Sequence, residues 1–221
     1  MGPGARRVTA LRSPKPDMML DEFPVKQRVE PMWRIILARH PHTGEPRAPF
    51  WFASTGADPY AGGRYGLPPP HGSCYFATSP QGAWLEVFRT TMVALGDLRK
   101  RRLCVTTPPR PVTLGNLTTK RVRGFGITGD IHTCDDYTIP QQWSAALHTH
   151  GLQGISGKVR HDPALEEGTT TLFSNAGTEP PYGWEWDVTS TGLADDVDLI
   201  ISMSRWGIRT AEVPHDVPTI A

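Results

Sequence analysis

The chain has 221 residues, with 23 Lys and Arg against 22 Asp and Glu and a formal net charge of +1, enough length for a sizeable core and too little charge for a global field. That balance argues against direct nucleic-acid binding and against an acidic membrane surface, so any anion must be held by local groups. No run approaches the roughly 18 apolar residues of a membrane span, and the N-terminus has no signal-like apolar centre, which predicts a cytoplasmic protein with no membrane partner.

Residues 1–30 are rich in Pro, Arg and Asp and read as a flexible N-terminal arm. Trp33 to Ala38 carries the bulky, branched residues of a strand, and alternation puts Arg34 and Ile36 on one face with Trp33 and Ile35 on the other. From His40 to Pro70, prolines and glycines without periodicity predict long ordered loops. Cys74 to Thr78 is an apolar strand. Ser79-Pro80 then opens a helix, because the serine oxygen can accept from a free backbone amide and proline fits the first helical position. Its apolar stripe of Ala83, Trp84, Val87, Phe88, Ala94 and Leu95 predicts a run to about Leu95 and a stop at Gly96. Arg102 to Thr106 is a further strand, followed by a short apolar piece at Val112 to Leu117. A second helix is predicted over Ile139 to His150, with Gly151 as its stop. Strands are expected at Leu152 to Ser156, Thr169 to Phe173 and Trp184 to Thr189, and Val197 to Met203 suits a strand or a short helix. Strands outnumber helices without regular alternation, so the fold class is α+β.

The stretch from Gly62 to Arg89 concentrates the chemistry. A glycine turn bearing Arg64 and Tyr65, a short strand bearing Tyr75, and Glu86 on the first turns of a helix can face one cleft and suit an anionic nucleotide whose glycosidic bond is to be broken. Glu86 lies beside its helix stripe, a position that aims it either into a cleft or into solvent. Cys74, Cys104 and Cys134 include no Cys-x-x-Cys, which fits a reducing compartment. His132-x-Cys134 and His148-x-His150 have zinc-ligand residue types without paired spacing, so no metal is expected. The chain lacks a Walker loop, a Gly-x-Gly-x-x-Gly turn and a Gly-x-Ser-x-Gly elbow.

Five ordered blocks resemble the RES-domain family, named for an arginine, a glutamate and a serine. Trp33-Arg34-Ile35 looks like its opening strand and Gly62-Gly63-Arg64-Tyr65 like its Gly-Gly-Arg-aromatic turn. Cys74-Tyr75-Phe76-Ala77 followed by Ala83 to Val87 resembles its strand and Ala-x-x-Glu helix. Gln141 to His148 with Gly151 to Ile155 resembles its Gln-x-Trp helix and the strand after it, and Thr171-Leu172-Phe173 fits its closing strand. The match runs from Pro31 to Asp187, giving a domain over 31–188 and a C-terminal extension over 189–221. Two positions depart from the pattern. Gly66 stands where the family has Asn or Asp, and Val159 stands at the plain register of the family serine, with Ser156 three residues earlier as its substitute.

The resemblance implies an ADP-ribosyltransferase-like fold and a toxin that degrades NAD+ by phosphorolysis or hydrolysis, NAD+ being substrate and no cofactor being needed. It assigns catalysis to Glu86 and Arg64 and substrate binding to Arg34, Tyr65, Tyr75 and Ser156. It also implies a helix-turn-helix antitoxin as partner and inorganic phosphate as a possible co-substrate, while the terminal segments suit a homo-oligomer. Two alternatives stand beside it: ADP-ribosyl transfer to a macromolecule, and an inactive nucleotide-binding module.

Overall fold

The apolar strand that opens with Met32 lies inside a mixed sheet whose two faces are covered by different parts of the chain. The computed structural model describes residues 11–56 and 63–213. Its strands are β1 (Val25–Arg28), β2 (Met32–Leu37), β3 (His71–Ala77), β4 (Met92–Ala94), β5 (Arg101–Thr107), β6 (Val112–Asn116), β7 (Gly154–Lys158), β8 (Gly168–Asn175), β9 (Asp187–Gly192) and β10 (Arg209–Ala211). Its helices are α1 (Pro80–Val87), α2 (Leu95–Arg99), α3 (Asp130–Thr133), α4 (Thr138–Thr149) and α5 (Val197–Arg205). Eight strands form one sheet in the order β1-β6-β7-β8-β3-β2-β5-β9, while β10 and β4 pair separately. All neighbours in the large sheet are antiparallel except β6 and β7. The α+β expectation holds.

Period-two alternation sorts the side chains of β3 and β8. Tyr75 and Ala77 lie opposite Thr171 and Thr169 on one face, and Cys74 and Phe76 lie opposite Leu172 and Thr170 on the other. The second face is closed by Phe50 and Phe52 from the long loop and by Tyr182, Trp184 and Trp186. The first face carries two helical covers. Trp84 of α1 joins Leu199 and Met203 of α5 over Ile35 and Ala77, whereas Trp143 and Leu147 of α4 pack over Ile155 and Phe173. The ground between these covers is where a hollow can persist.

At one place the sheet itself loosens. Strands β2 and β5 match over six residue pairs, but β2 and β3 share the single pair Trp33 and Ala77. Beyond it the two backbones separate, and Arg34 lies beside the gap.

Several boundaries differ from the sequence reading. Residues 11–30 are not a loose arm: Leu11 and Phe23 are 4% and 3% exposed, and β1 pairs with β6. Short, polar β1 blunts the edge of the sheet, and the indole Nε1 of Trp143 donates to the carbonyl of Arg12 at 2.7 Å. The division at 188/189 also falls inside β9, and α5 buries Leu199 and Met203 in the same core as α1. The helix expected to reach Leu95 ends at Val87. Met92 to Ala94 finds a partner in β10, and that tertiary pairing outweighs the helical pattern. The start of that helix is as expected, with the Ser79 Oγ accepting from the Gly82 N–H at 2.8 Å. The strand expected at Trp184 to Thr189 is displaced to Asp187–Gly192, and Val197 to Met203 is helical.

Trp143 is fully buried and ties α4 to the N-terminal segment. Trp143→Ala is expected to lower unfolding free energy by about 3 to 5 kcal/mol, the cost of emptying a large aromatic site. Urea denaturation followed by circular dichroism measures it.

Candidate functional site

Between α1 and α4, two adjoining hollows of about 210 and 230 Å³ meet at Glu86, Tyr75 and Thr169. Their linings differ in kind. The first contains Arg64, Arg89, Lys158, Arg160 and His161, while the second is mostly apolar, with Trp33, Ile35, Phe76 and Ala83 beside the single guanidinium of Arg34. Glu86 is the carboxylate at their junction. A larger hollow of about 770 Å³ lies elsewhere, by His71, His148 and Tyr182, but no Arg or Lys lines it. Volume alone does not make a site for an anion.

Each side chain at the junction is held by local structure. The last turn of the proline-started α1 carries Glu86 toward the sheet beside Ala83. Gly63 lies so close over Tyr75 that a Cβ there would come within 2.4 Å of the phenol oxygen, so only glycine lets the turn descend onto the strand. The Tyr65 N–H donates to the Tyr75 hydroxyl at 2.8 Å, and the Ser73 hydroxyl donates to the Tyr65 carbonyl at 2.7 Å. Tyr65 is fully enclosed, its hydroxyl 3.2 Å from the Ile131 carbonyl and 3.1 Å from His132 Nδ1. Tyr65 and Tyr75 thus build the floor of the hollow and fix the arginine turn. Gly66 is accounted for as well, because a Cβ there would meet Thr55 Cγ2 at 2.5 Å. Gly62, the first glycine of the motif, lies outside the described residues.

Arg64 is only 9% exposed. Its Nη1 donates to the Ile131 carbonyl at 3.4 Å and to Cys134 Sγ at 3.2 Å, and its guanidinium lies over the Tyr137 ring at 4.8 Å. Its Nη2 is buried without a partner among the described residues. A buried cationic N–H left unpaired is costly, and a ligand oxygen would satisfy it. Arg34 is placed differently. It belongs to the opposite face of the sheet, where Nη1 donates to the Pro49 carbonyl at 3.1 Å and Cys74 Sγ at 2.7 Å, and it reaches the apolar hollow beside the gap between β2 and β3. The two arginines therefore flank Glu86 from separate hollows.

Burial raises the pKa of Glu86; the Arg160 backbone amide and the guanidinium groups of Arg89, Arg64 and Arg160 pull it back. This carboxylate is poorly solvated and surrounded by cations, so it interacts strongly with charge placed next to it. Burial lowers His161 too, helped by Arg89, Arg160 and Arg64.

Ser156 is not part of this constellation. It pairs with Thr170 on β8 and follows Ile155, whose side chain packs under α4, so alternation turns Ser156 to the other face of the sheet. It lines neither hollow. Val159, at the plain register, is buried in the α1 cluster. The sequence reading missed Lys158, Arg160, His161 and Tyr137; the signal for the first three was a run of four in which only Val159 is neither basic nor imidazole, where a buried strand ends. The histidines and cysteine considered for zinc are dispersed: His132 lies by Tyr65, Cys134 by Arg64, His148 by His71, and His150 3.6 Å from Asp21. Among the described residues no group of three or more His, Cys, Asp or Glu is arranged to hold a metal, and no helix is long and apolar enough to cross a membrane.

His132 provides a pH signature. Burial, with help from Arg64 and Lys158, pushes its pKa down from 6.5 to about 4. The unfolded chain then binds the extra proton, so its contribution is complete above 6.5 and is lost as pH falls toward 4. The raised Glu86 has the opposite slope. His132→Gln should therefore flatten the loss of stability on acidification, by an amount on the order of 3 kcal/mol, as measured by denaturant titrations across that window.

Comparison with known proteins adds three findings. A family model described as the RES domain matches residues 31–176. No curated protein sequence matches the chain. Among solved structures, a chain of the crystal structure of the M. tuberculosis MbcT–MbcA toxin–antitoxin complex superposes with a TM-score of 0.56 at 18% identity, covering 79% of this chain and 91% of that one.

Proposed function

The chain belongs to the RES-domain family, and from the two hollows that meet at Glu86 we propose that it degrades NAD+ by breaking the bond between nicotinamide and ribose. The observation that carries this reading is the change of lining at a single carboxylate. The diphosphate suits the side where Arg64 offers an unpaired N–H beside Arg89 and Arg160, and the nicotinamide ring suits the apolar side under Trp33 and Phe76. The ribose, and with it the scissile bond, would then lie against Glu86.

The chemistry follows from charge. Departure of nicotinamide moves positive charge from the ring onto the ribose, giving an oxocarbenium-like transition state. A fixed carboxylate that accepts from a ribose hydroxyl stabilises that charge where it develops. Glu86 is poorly solvated and cannot reorganise far, so its interaction with the cation is larger than in water. The planar guanidinium of Arg64 suits two phosphate oxygens and stays charged throughout. The surplus of cations on that side leaves room for inorganic phosphate as the attacking group.

In the cell this activity would make the protein a toxin, held in check by a partner protein as in the toxin–antitoxin complex that the fold resembles. The family resemblance supports a helix-turn-helix antitoxin as that partner. The test is purified protein with NAD+, with and without phosphate, and mass spectrometry of the products. Nicotinamide with free ADP-ribose or its phosphate supports the reading. Label on a macromolecule would replace it by ADP-ribosyl transfer, and intact NAD+ would overturn it.

A further inference from the structure

Ser156 and Val159 leave the site without the hydroxyl expected from β7, yet the strand beside it supplies one. Thr169 is 7% exposed and, besides Tyr75 and Glu86, is the residue that lines both hollows. It is the only serine or threonine in either lining. Of the phenols beside it, Tyr65 is engaged by Ile131 and His132, Tyr75 accepts from the Tyr65 amide, and Tyr137 lies against the Arg64 and Arg160 guanidinium groups. The Thr169 hydroxyl makes no hydrogen bond with a described residue, whereas the Oγ1 atoms of Thr170 and Thr171 are sealed within the sheet.

The backbone opposite makes space for that hydroxyl. Gly157 pairs with Thr169, and a Cβ at Gly157 would come within 3.0 Å of Thr169 Oγ1. Glycine on β7 thus leaves room where a larger residue would press on the threonine.

We infer that Thr169 is the substrate-positioning hydroxyl of this site, binding a ribose hydroxyl next to Glu86 and orienting the sugar for loss of its base. A side-chain hydroxyl both donates and accepts, so it can hold a sugar hydroxyl that is itself donating to the Glu86 carboxylate. This inference rests on the reading of the hollows as an NAD+ site.

Thr169→Val keeps the shape and the strand preference and removes the hydroxyl. It is expected to lower kcat for NAD+ breakdown about tenfold, the effect of one hydrogen bond made in the transition state, with less change in KM. Thr169→Ser should remain within about threefold of the wild type, and Thr169→Ala should fall with Thr169→Val; thermal melting reports on folding in each. Unchanged kcat in a folded Thr169→Val or Thr169→Ala protein would overturn the assignment, as would Thr169→Ser falling as far as Thr169→Val. A wild type that leaves NAD+ intact would instead retire the NAD+ reading itself, so the two failures are distinguishable.

Discussion

Glu86→Gln is expected to reduce NAD+ turnover at least about 100-fold while the protein still folds, the scale of removing one preorganised electrostatic group from a water-poor site. The substitution is nearly isosteric, and it removes a charge that burial disfavours. Thermal stability should therefore hold or rise, because the protein no longer has to keep an ion in a poorly solvated place. Loss of turnover together with gain of stability is the signature of a charge retained for chemistry. Turnover within a few-fold of the wild type, followed by release of nicotinamide, would remove Glu86 from the mechanism.

Arg64→Ala is expected to weaken NAD+ binding by about 10- to 100-fold in calorimetry, the range for losing charge-assisted hydrogen bonds to a phosphate. Arg34→Lys should weaken it less. The reason lies in how the two guanidinium groups are engaged: Nη2 of Arg64 is buried and unpaired, whereas Nη1 of Arg34 is already shared between Pro49 and Cys74 on the far face. Since Arg64 also lies over Tyr137 and donates to Ile131, melting of the variant must be measured alongside. Equal affinities in the wild type and both variants would contradict the assignment of Arg64 to the diphosphate.

Much of this arrangement was legible along the chain because local signals and tertiary structure agreed there. The Ser79-Pro80 start, the Gly151 stop and the alternation around Arg34 were specified by neighbouring residues, and each is found where expected. The site residues Arg64, Tyr65, Tyr75 and Glu86 converge for the same reason: a glycine turn, a strand and a helix follow one another within a few residues. Signals failed where a distant segment decided the outcome. Met92 to Ala94 leaves the helix because residues 209–211 pair with it, and residues 11–30 are ordered because Phe23 and Leu11 meet the core around Trp143. Ser156 was misplaced by parity, since one residue along a strand reverses the face. Thr169 was invisible because nothing in Gly-Thr-Thr-Thr says which hydroxyl escapes the sheet.

The short strand that lies along β6 has a practical corollary for work on isolated pieces of the chain. The family match begins at Pro31, just after that strand ends. Excising residues 31–176 would uncover the backbone amides and carbonyls of Val112 to Gly115 and strip Phe23 from the indole of Trp143. At the opposite border it would also delete the partner of β5. A fragment with two bare borders would recruit strands from its own copies and self-associate. The cooperative unit is thus broader than the segment the family model matches.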